Sequence, residues 1–203
     1  MHPSQSHGVR PAKIGAMTAK AFAHLLIAHP QTPCPAIEAL TVTTDVQAQE
    51  GRWGVLLHYL VQGDTAQLRV PLKSANAGPA DNLWRHTCFE AFLNRPGETA
   101  YTEFNFSPSG QWAAYAFKDE RERDTQVVEI ISPRIELAQS PKALSLRAWM
   151  PLPEVQLGQT LNLGLSAVIE TQDGSLSYWA LHHPDARPDF HSKAGWTALL
   201  SIS

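Results

Sequence analysis

The sequence predicts an all-β fold, an antiparallel two-sheet β-sandwich of the jelly-roll type, with one short helix near the N-terminus. Two observations support this prediction. Twelve glycines and fifteen prolines are scattered along the chain, so that turn signals recur about every ten residues. No helical pattern alternates with the strand candidates, which argues against a parallel α/β sheet. With 203 residues and 43% hydrophobic residues, the chain can build one medium-sized core.

The helix is predicted between Thr18, which could cap it, and Pro30, which would end it. Its apolar face is weak and includes Phe22 and Leu26. Later segments are rich in β-branched and aromatic residues and read as strands, with 53–61 and 66–72 forming a hairpin. The strand candidates are 39–44, 53–61, 66–72, 85–93, 101–107, 111–117, 126–131, 134–138, 144–149, 160–170, 175–181 and 197–202.

Composition excludes several functional classes. The net charge is −3 and no basic stripe is visible, so we expect no nucleic-acid partner. No apolar run is long enough for a signal core or a membrane span, so we expect a cytoplasmic protein without a membrane partner. Cys34 and Cys88 cannot make a disulfide scaffold or a four-thiolate zinc site. We expect residues 1–16 to be a flexible leader and residues 17–203 to form a single domain.

Polar residues alternate with phenylalanines along the strand candidate 101–107. Side chains alternate between the two faces of a strand, so Tyr101, Glu103 and Asn105 share one face. The other face carries Phe104 and Phe106 and must belong to the core. The first face is therefore either a solvated sheet surface or a recognition surface made of hydrogen-bonding groups beside aromatic rings.

Glu90 lies in a mostly apolar stripe of the preceding strand candidate, together with Cys88 and Phe92. An ionised carboxylate is costly there unless it is paired or hydrogen-bonded. Three interpretations stay open. Glu90 could bond to nearby backbone or to an arginine, it could bind ligand hydroxyls, or it could form an acid–base carboxylate pair with Glu103, as glycosidases use.

Tryptophans and arginines near these strands are further candidates. Trp84 and Trp112 lie at strand ends beside turns, where an indole ring can be half exposed and can stack on the apolar face of a sugar. Arg121 and Arg123 belong to a charged run that could fold back toward Glu90 or a ligand. No spacing typical of metal ligands is present, and no metal site is predicted.

These residues also carry a resemblance to a known family. The segments Leu83-Trp84, Thr87-Cys88-Phe89-Glu90-Ala91-Phe92 and Tyr101-x-Glu103-Phe104-Asn105-Phe106-Ser107-Pro108-Ser109-Gly110-x-Trp112 resemble the bacterial DOMON-like proteins. That group is similar to the family 9 carbohydrate-binding modules. The tail Pro188-Asp189-Phe190-His191 resembles the segment that leads into the last strand of that family. The likeness covers most of residues 30–203.

The resemblance implies a non-catalytic module that binds a carbohydrate or a similar polyhydroxylated small molecule. In the sugar-binding relatives two tryptophans clamp a terminal sugar. Trp84 falls on the first of these positions and Phe190 near the second, where it departs from the pattern. Glu90 falls on the glutamate that contacts the hydroxyls. The predicted ligand-binding residues are Trp84, Glu90, Glu103, Asn105, Trp112, Arg121, Arg123, Phe190 and His191.

Two alternatives belong to other classes. One is a hydrolase-like enzyme that uses the two glutamates. The other is a haem-binding DOMON domain, for which Met150 is the nearest candidate ligand. Neither haem nor calcium is indicated, so no cofactor is predicted. The sequence predicts no oligomeric state.

Overall fold

A computed structural model describes residues 21–49, 52–126, 132–152 and 158–202 of the chain. Over these residues the chain forms twelve strands, three one-turn 3-10 helices and no α-helix. None of these helical turns could cross a membrane. The 3-10 helices are Thr65–Gln67, Leu83–Arg85 and Lys193–Gly195. The strands are β1 Phe22–Ala28, β2 Ile37–Gln49, β3 Arg52–Gly63, β4 Cys88–Asn94, β5 Tyr101–Phe106, β6 Trp112–Asp119, β7 Glu122–Arg123, β8 Arg134–Ser140, β9 Ala143–Pro151, β10 Thr160–Glu170, β11 Leu176–Ala180 and β12 Ala198–Ser201.

The strands form the two layers of an antiparallel sandwich. The back sheet has the order β1-β2-β3-β9-β8, and the front sheet has the order β7-β6-β5-β4-β10-β11. Strand β12 pairs with the first half of β10, and β11 pairs with its second half. Strand β1 pairs with both β2 and β11, so the two sheets are continuous at this edge. The predicted all-β sandwich is confirmed.

The predicted N-terminal helix is wrong over residues 22–28, which form β1. Leu26 is buried, whereas its neighbours Leu25 and Ile27 are exposed, and this alternation is that of a strand. The two flanking strands supply backbone hydrogen bonds to β1, and these override the weak helical pattern of a short segment. Thr18 and the predicted leader 1–16 lie outside the described residues.

The predicted hairpin between 53–61 and 66–72 is also wrong. Strand β3 is present, but its two edges pair with β2 and β9 and are therefore both occupied. Asp64 accepts a hydrogen bond from the backbone N–H of Ala66 and starts a 3-10 turn. The chain then crosses to the front sheet, where Leu68 makes a single bridge with Thr171. The candidate 126–131 lies almost wholly outside the described residues.

The core lies between the two sheets and is built by the inner faces of alternating strands. In β4, Phe89, Ala91 and Leu93 point inward and pack in this core. The ring centroids of Phe89 and Tyr59, which lie on opposite sheets, are 5.0 Å apart. The buried Tyr59 hydroxyl donates a 2.7 Å hydrogen bond to the backbone carbonyl of Glu90. Each large side chain buried here contributes about 1.5–3 kcal/mol to folding.

The outer face of the front sheet carries a second apolar cluster, which we call the outer aromatic cluster: Phe92, Tyr101, Phe117 and Trp196. Trp196 arrives from the segment 181–197, and its ring stacks on Phe92 with centroids 5.5 Å apart. Gly164 lies opposite Phe92 on β10, and a Cβ atom there would overlap the Trp196 ring. The glycine therefore allows the indole to lie flat on the sheet, and the segment 181–197 is anchored over the outer face.

Candidate functional site

A cavity of about 640 Å³ opens on the outer face of the front sheet, beside the outer aromatic cluster. Its walls come from β4, β5, β6, β7, β10 and β11, from the 3-10 turn before β4, and from the segment 181–197. Seven of the nine residues that the sequence proposed for ligand binding line it together. These seven are Trp84, Glu90, Glu103, Arg121, Arg123, Phe190 and His191.

Trp84 is presented by a short turn rather than by a strand. Its side chain is 44% exposed, and the Arg85 guanidinium carbon lies 5.4 Å from the ring centroid. The following residues fix this turn, because His86 Nδ1 lies 2.8 Å from Glu170 Oε2 and the Thr87 hydroxyl donates to the Arg69 carbonyl at 2.7 Å. An indole in this position is open to solvent and held at a defined place.

Phe190 provides the second aromatic wall. It is half-buried, and its ring lies 6.0 Å from that of Tyr178, which also lines the cavity. The Phe190 backbone carbonyl accepts a 2.8 Å hydrogen bond from Trp196 Nε1. The outer aromatic cluster thus holds this wall in place through Trp196.

Glu90 is buried beneath the cavity, with only 3% of its surface exposed. Its Oε1 atom has no hydrogen-bond partner among the described residues. Burial, reinforced by the neighbouring charge of Glu103, raises the pKa of Glu90 well above its ordinary value. The raised pKa favours the protonated form, and no hydrogen bond joins the carboxyl to backbone or to an arginine in the part of the chain that the structure describes.

Glu103 is the second buried carboxyl of the cavity. It lies diagonally across from Glu90, because Glu90 pairs with Asn105 and Phe92 pairs with Glu103 in the register of β4 and β5. Its Oε1 accepts a 2.5 Å hydrogen bond from the Asn105 amide. Burial raises the pKa of Glu103, although the Asn105 hydrogen bond and the charges of Arg123 and Arg121 partly oppose this rise.

Asn105 does not line the cavity but supports it from within the sheet. It is fully buried, and besides its bond to Glu103 it accepts a weak hydrogen bond from the Cys88 thiol at 3.5 Å. The side chains of Asn105 and Cys88 lie on the outer face of the sheet together with Glu90, as the alternation predicts. Asn105 therefore orients Glu103 rather than presenting its own amide to the cavity.

Trp112 lies away from the cavity. It pairs with Phe106 across β5 and β6, and residues directly opposite each other share one face of a sheet. Phe106 points into the core, so Trp112 faces the inner side, where it is only 9% exposed. The expectation of a half-exposed platform at this position is wrong. Met150, the candidate haem ligand, is also fully buried in the core and does not reach the cavity.

The arginines lie at the rim of the cavity and differ in their partners. Arg121 forms a 2.8 Å ion pair with Asp189, which ties the turn between β6 and β7 to the segment 181–197. Arg123 places its guanidinium carbon 3.6 Å from the ring centroid of Tyr115. A guanidinium that stacks on an aromatic face keeps its N–H groups available at the edge of the plane.

His191 connects the cavity to the outer aromatic cluster. Its Nδ1 lies 2.7 Å from the Tyr101 hydroxyl, and its Nε2 lies 3.7 Å from Glu103 Oε2. Burial, with the charge of Arg121, lowers the pKa of His191 to about 4. The imidazole is therefore neutral at pH 7 and leaves Glu103 without a cationic partner on this side.

Several lining residues were not proposed from the sequence. Tyr178 lines the cavity from the outer face of β11. The alternation of this strand indicates its face, but the same pattern is also typical of an aromatic residue that is packed against other side chains. Tyr115 and Phe117 follow the same alternation in β6. Arg187 lies in an irregular loop, where no local pattern indicates which way a side chain points. Among the described residues no cluster of His, Cys, Asp or Glu could hold a metal ion.

Comparisons with known proteins support the fold. No protein-family model matches the sequence, and no curated protein matches it. A solved structure from Bacteroides uniformis, described as a "putative carbohydrate-binding protein", superposes with a TM-score of 0.62 at 19% identity, over 91% of this chain and 87% of that one. A family 9 carbohydrate-binding module from Caldicellulosiruptor kristjanssonii, in complex with cellotriose, superposes with a TM-score of 0.50 at 10% identity, over 82% of this chain and 75% of that one. At these identities the likeness establishes a shared β-sandwich.

Proposed function

We propose that this protein is a non-catalytic module that binds a carbohydrate, or a similar polyhydroxylated small molecule, in the cavity of the front sheet. The observation that supports this best is the joint presence of an exposed indole and a buried carboxyl with a free acceptor atom. Trp84 and Glu90 line the same cavity. The cavity volume of about 640 Å³ is within the range of small-molecule sites.

The chemistry of a sugar suits these walls. A pyranose ring has an apolar C–H face that packs on an indole, while its hydroxyls need donors and acceptors at the ring edge. A protonated Glu90 can donate one hydrogen bond and accept another through the unpartnered Oε1. Glu103 accepts hydrogen bonds, and the rim arginines donate them. A buried polar atom without a partner is costly, so a ligand hydroxyl at Oε1 contributes to affinity.

The structural neighbours add independent support. One is described as carbohydrate-binding and the other is a family 9 module with cellotriose bound. We infer from this likeness, together with the motifs around Trp84 and Glu90, that the protein is a DOMON-like relative of those modules. Its proposed location remains the cytoplasm.

Replacing Trp84 by alanine tests the proposal. Calorimetric titration of the full chain with a panel of neutral and acidic sugars, cellotriose included, should identify ligands of the parent. We expect Trp84→Ala to weaken binding at least tenfold, which corresponds to about 1.4 kcal/mol. The folded state should lose little stability, because the indole is 44% exposed.

The matched control is Phe22→Ala, which removes a 47% exposed aromatic ring from β1. It should leave sugar binding unchanged. Equal affinities of the parent and Trp84→Ala, or no sugar bound by the parent, would remove the proposal.

A hydrolase is the second candidate, because both glutamates line one cavity and burial raises the pKa of Glu90. In this reading Glu90 protonates the leaving oxygen of a substrate, and Glu103 acts as the base for an attacking water or as the nucleophile. Activity on aryl glycosides and esters that disappears in Glu90→Gln would favour the enzyme. No turnover by the parent would eliminate this candidate.

A further inference from the structure

The rim of the cavity carries positive charge on a chain that is negative overall. The protein has a net charge of −3, yet three arginines line the cavity: Arg121, Arg123 and Arg187. The acidic residues that line it are Glu90 and Glu103. The sign of the local field therefore depends on which of these groups are charged and which are already paired.

Two of the three guanidinium groups have no carboxylate partner within the described ranges. Arg121 is neutralised by Asp189 at 2.8 Å. Arg123 lies on the Tyr115 ring and also hydrogen-bonds to the Tyr115 hydroxyl, and its remaining N–H groups can bind an anion. Arg187 is exposed in the segment 181–197 and forms no ion pair with another described residue.

Within the described part of the chain, neither carboxyl beneath the rim forms an ion pair with Arg123 or Arg187. Burial and the neighbouring Glu103 charge raise the pKa of Glu90, which favours its uncharged form. Glu103 is buried and is held by the Asn105 amide at 2.5 Å. The neutral His191 adds no charge at pH 7. The cavity therefore presents two guanidinium groups to a ligand at its rim, above the buried acceptor Glu103.

We propose that the cavity selects an anionic sugar, a monosaccharide unit that carries a carboxylate, with Arg123 and Arg187 binding the carboxylate at the rim while ring hydroxyls reach Glu90. A planar guanidinium matches a carboxylate in shape and forms charge-assisted hydrogen bonds to it. A neutral sugar would leave both cations without an anionic partner. This inference rests on the proposed carbohydrate binding and names its ligand class.

The experiment compares a charged sugar with its neutral counterpart. Methyl glucuronoside and methyl galacturonoside are titrated into the full chain at low ionic strength, together with their methyl esters and the corresponding methyl glycosides. We expect each acid that binds to do so at least tenfold more tightly than its ester. Raising the salt concentration should weaken binding of the acid and leave the ester unaffected, because salt screens exposed charges.

Arginine variants assign the preference to the rim. Arg123→Gln and Arg187→Gln should each reduce the ratio of acid to ester affinity at least threefold, and the double variant should abolish it. The ratio cancels any loss of packing on Tyr115, which affects both ligands alike. Arg147→Gln, an exposed arginine on the back sheet, is the matched control and should leave the ratio unchanged.

The outcomes separate the two proposals. Equal affinity for acids and esters, or a preference that survives the double variant, overturns the selectivity for an anionic sugar and leaves carbohydrate binding standing. A protein that binds none of the acids, esters and glycosides but binds another sugar of the wider panel overturns the selectivity alone, and a protein that binds no sugar of either set overturns both.

Discussion

Replacing Phe92 by alanine is expected to lower the free energy of unfolding by about 3–5 kcal/mol and to weaken ligand binding at the same time. Phe92 is 1% exposed and is stacked on Trp196, with ring centroids 5.5 Å apart. Its removal leaves a void under the indole, and the surrounding rings can fill that void only in part. The stability loss is therefore that of a large core residue, although Phe92 lies on the outer face of the sheet.

The effect on binding is expected because Trp196 positions one wall of the cavity. Its Nε1 donates to the Phe190 carbonyl, and Phe190 and His191 line the cavity. Denaturant unfolding measures the stability, and calorimetry below the unfolding transition measures the affinity. Phe106→Ala is the control, since Phe106 is equally buried but lies in the core between the sheets.

Phe106→Ala should therefore destabilise to a similar extent and leave the affinity of the folded protein unchanged. If Phe92→Ala binds as tightly as Phe106→Ala, the outer aromatic cluster does not position the wall of the cavity.

Replacing Glu90 by glutamine is expected to stabilise the protein increasingly as the pH rises, and to have little effect near pH 4. Burial and the charge of Glu103 raise the pKa of Glu90 well above its ordinary value in the folded state. Between the ordinary carboxyl range, about 4.3, and the raised pKa, the unfolded chain has released this proton and the folded chain still holds it. Stability of the parent therefore falls as the pH rises through this window.

The variant cannot ionise at this position, so the contribution of Glu90 to that fall is absent. The difference in unfolding free energy between variant and parent should grow by up to about 1.4 kcal/mol per pH unit. Urea unfolding at a series of pH values from 4 to 9 measures it. Glu136→Gln, an exposed position on β8, serves as the control and should give no pH-dependent difference.

His191 changes the pH dependence of stability in the opposite direction. Its pKa is lowered to about 4 from 6.5, so the unfolded chain binds a proton first as the pH falls, and stability is lost between these values. This contribution is common to the parent and the variant and cancels in their difference. Parallel pH profiles for the parent and Glu90→Gln would mean that Glu90 is ionised in the folded protein.

The polar face of the site could be predicted from local pattern because a strand pleats with a strict period of two. This rule placed Glu103 and Asn105 together and put Phe104 on the other side, as the register of β5 has it. It also placed Glu90 in an apolar stripe, where the structure buries it. The period alone does not tell which face of β6 is the inner one, and Trp112 is known to face inward only from its pairing with Phe106.

Residues outside regular strands could not be assigned in this way. Arg187 and Phe190 reach the cavity only because Trp196 anchors the segment 181–197 over the outer face. That anchor depends on Gly164, which is far away in sequence and leaves room for the indole. No local period encodes such a contact.

Some features of this protein therefore follow from the local sequence pattern, and others follow only from contacts between residues that are distant in sequence. The amino-acid sequence alone determined the β class, the identity of the chemical groups on β4 and β5 and the side of the sheet on which they lie, because alternation is a property of each strand. Tertiary structure decided that residues 22–28 are a strand, which of the tryptophans meets solvent and which charges surround the cavity. These features are stabilised by hydrogen bonds between strands and by packing between rings that are distant in sequence. A local pattern does not indicate either kind of contact.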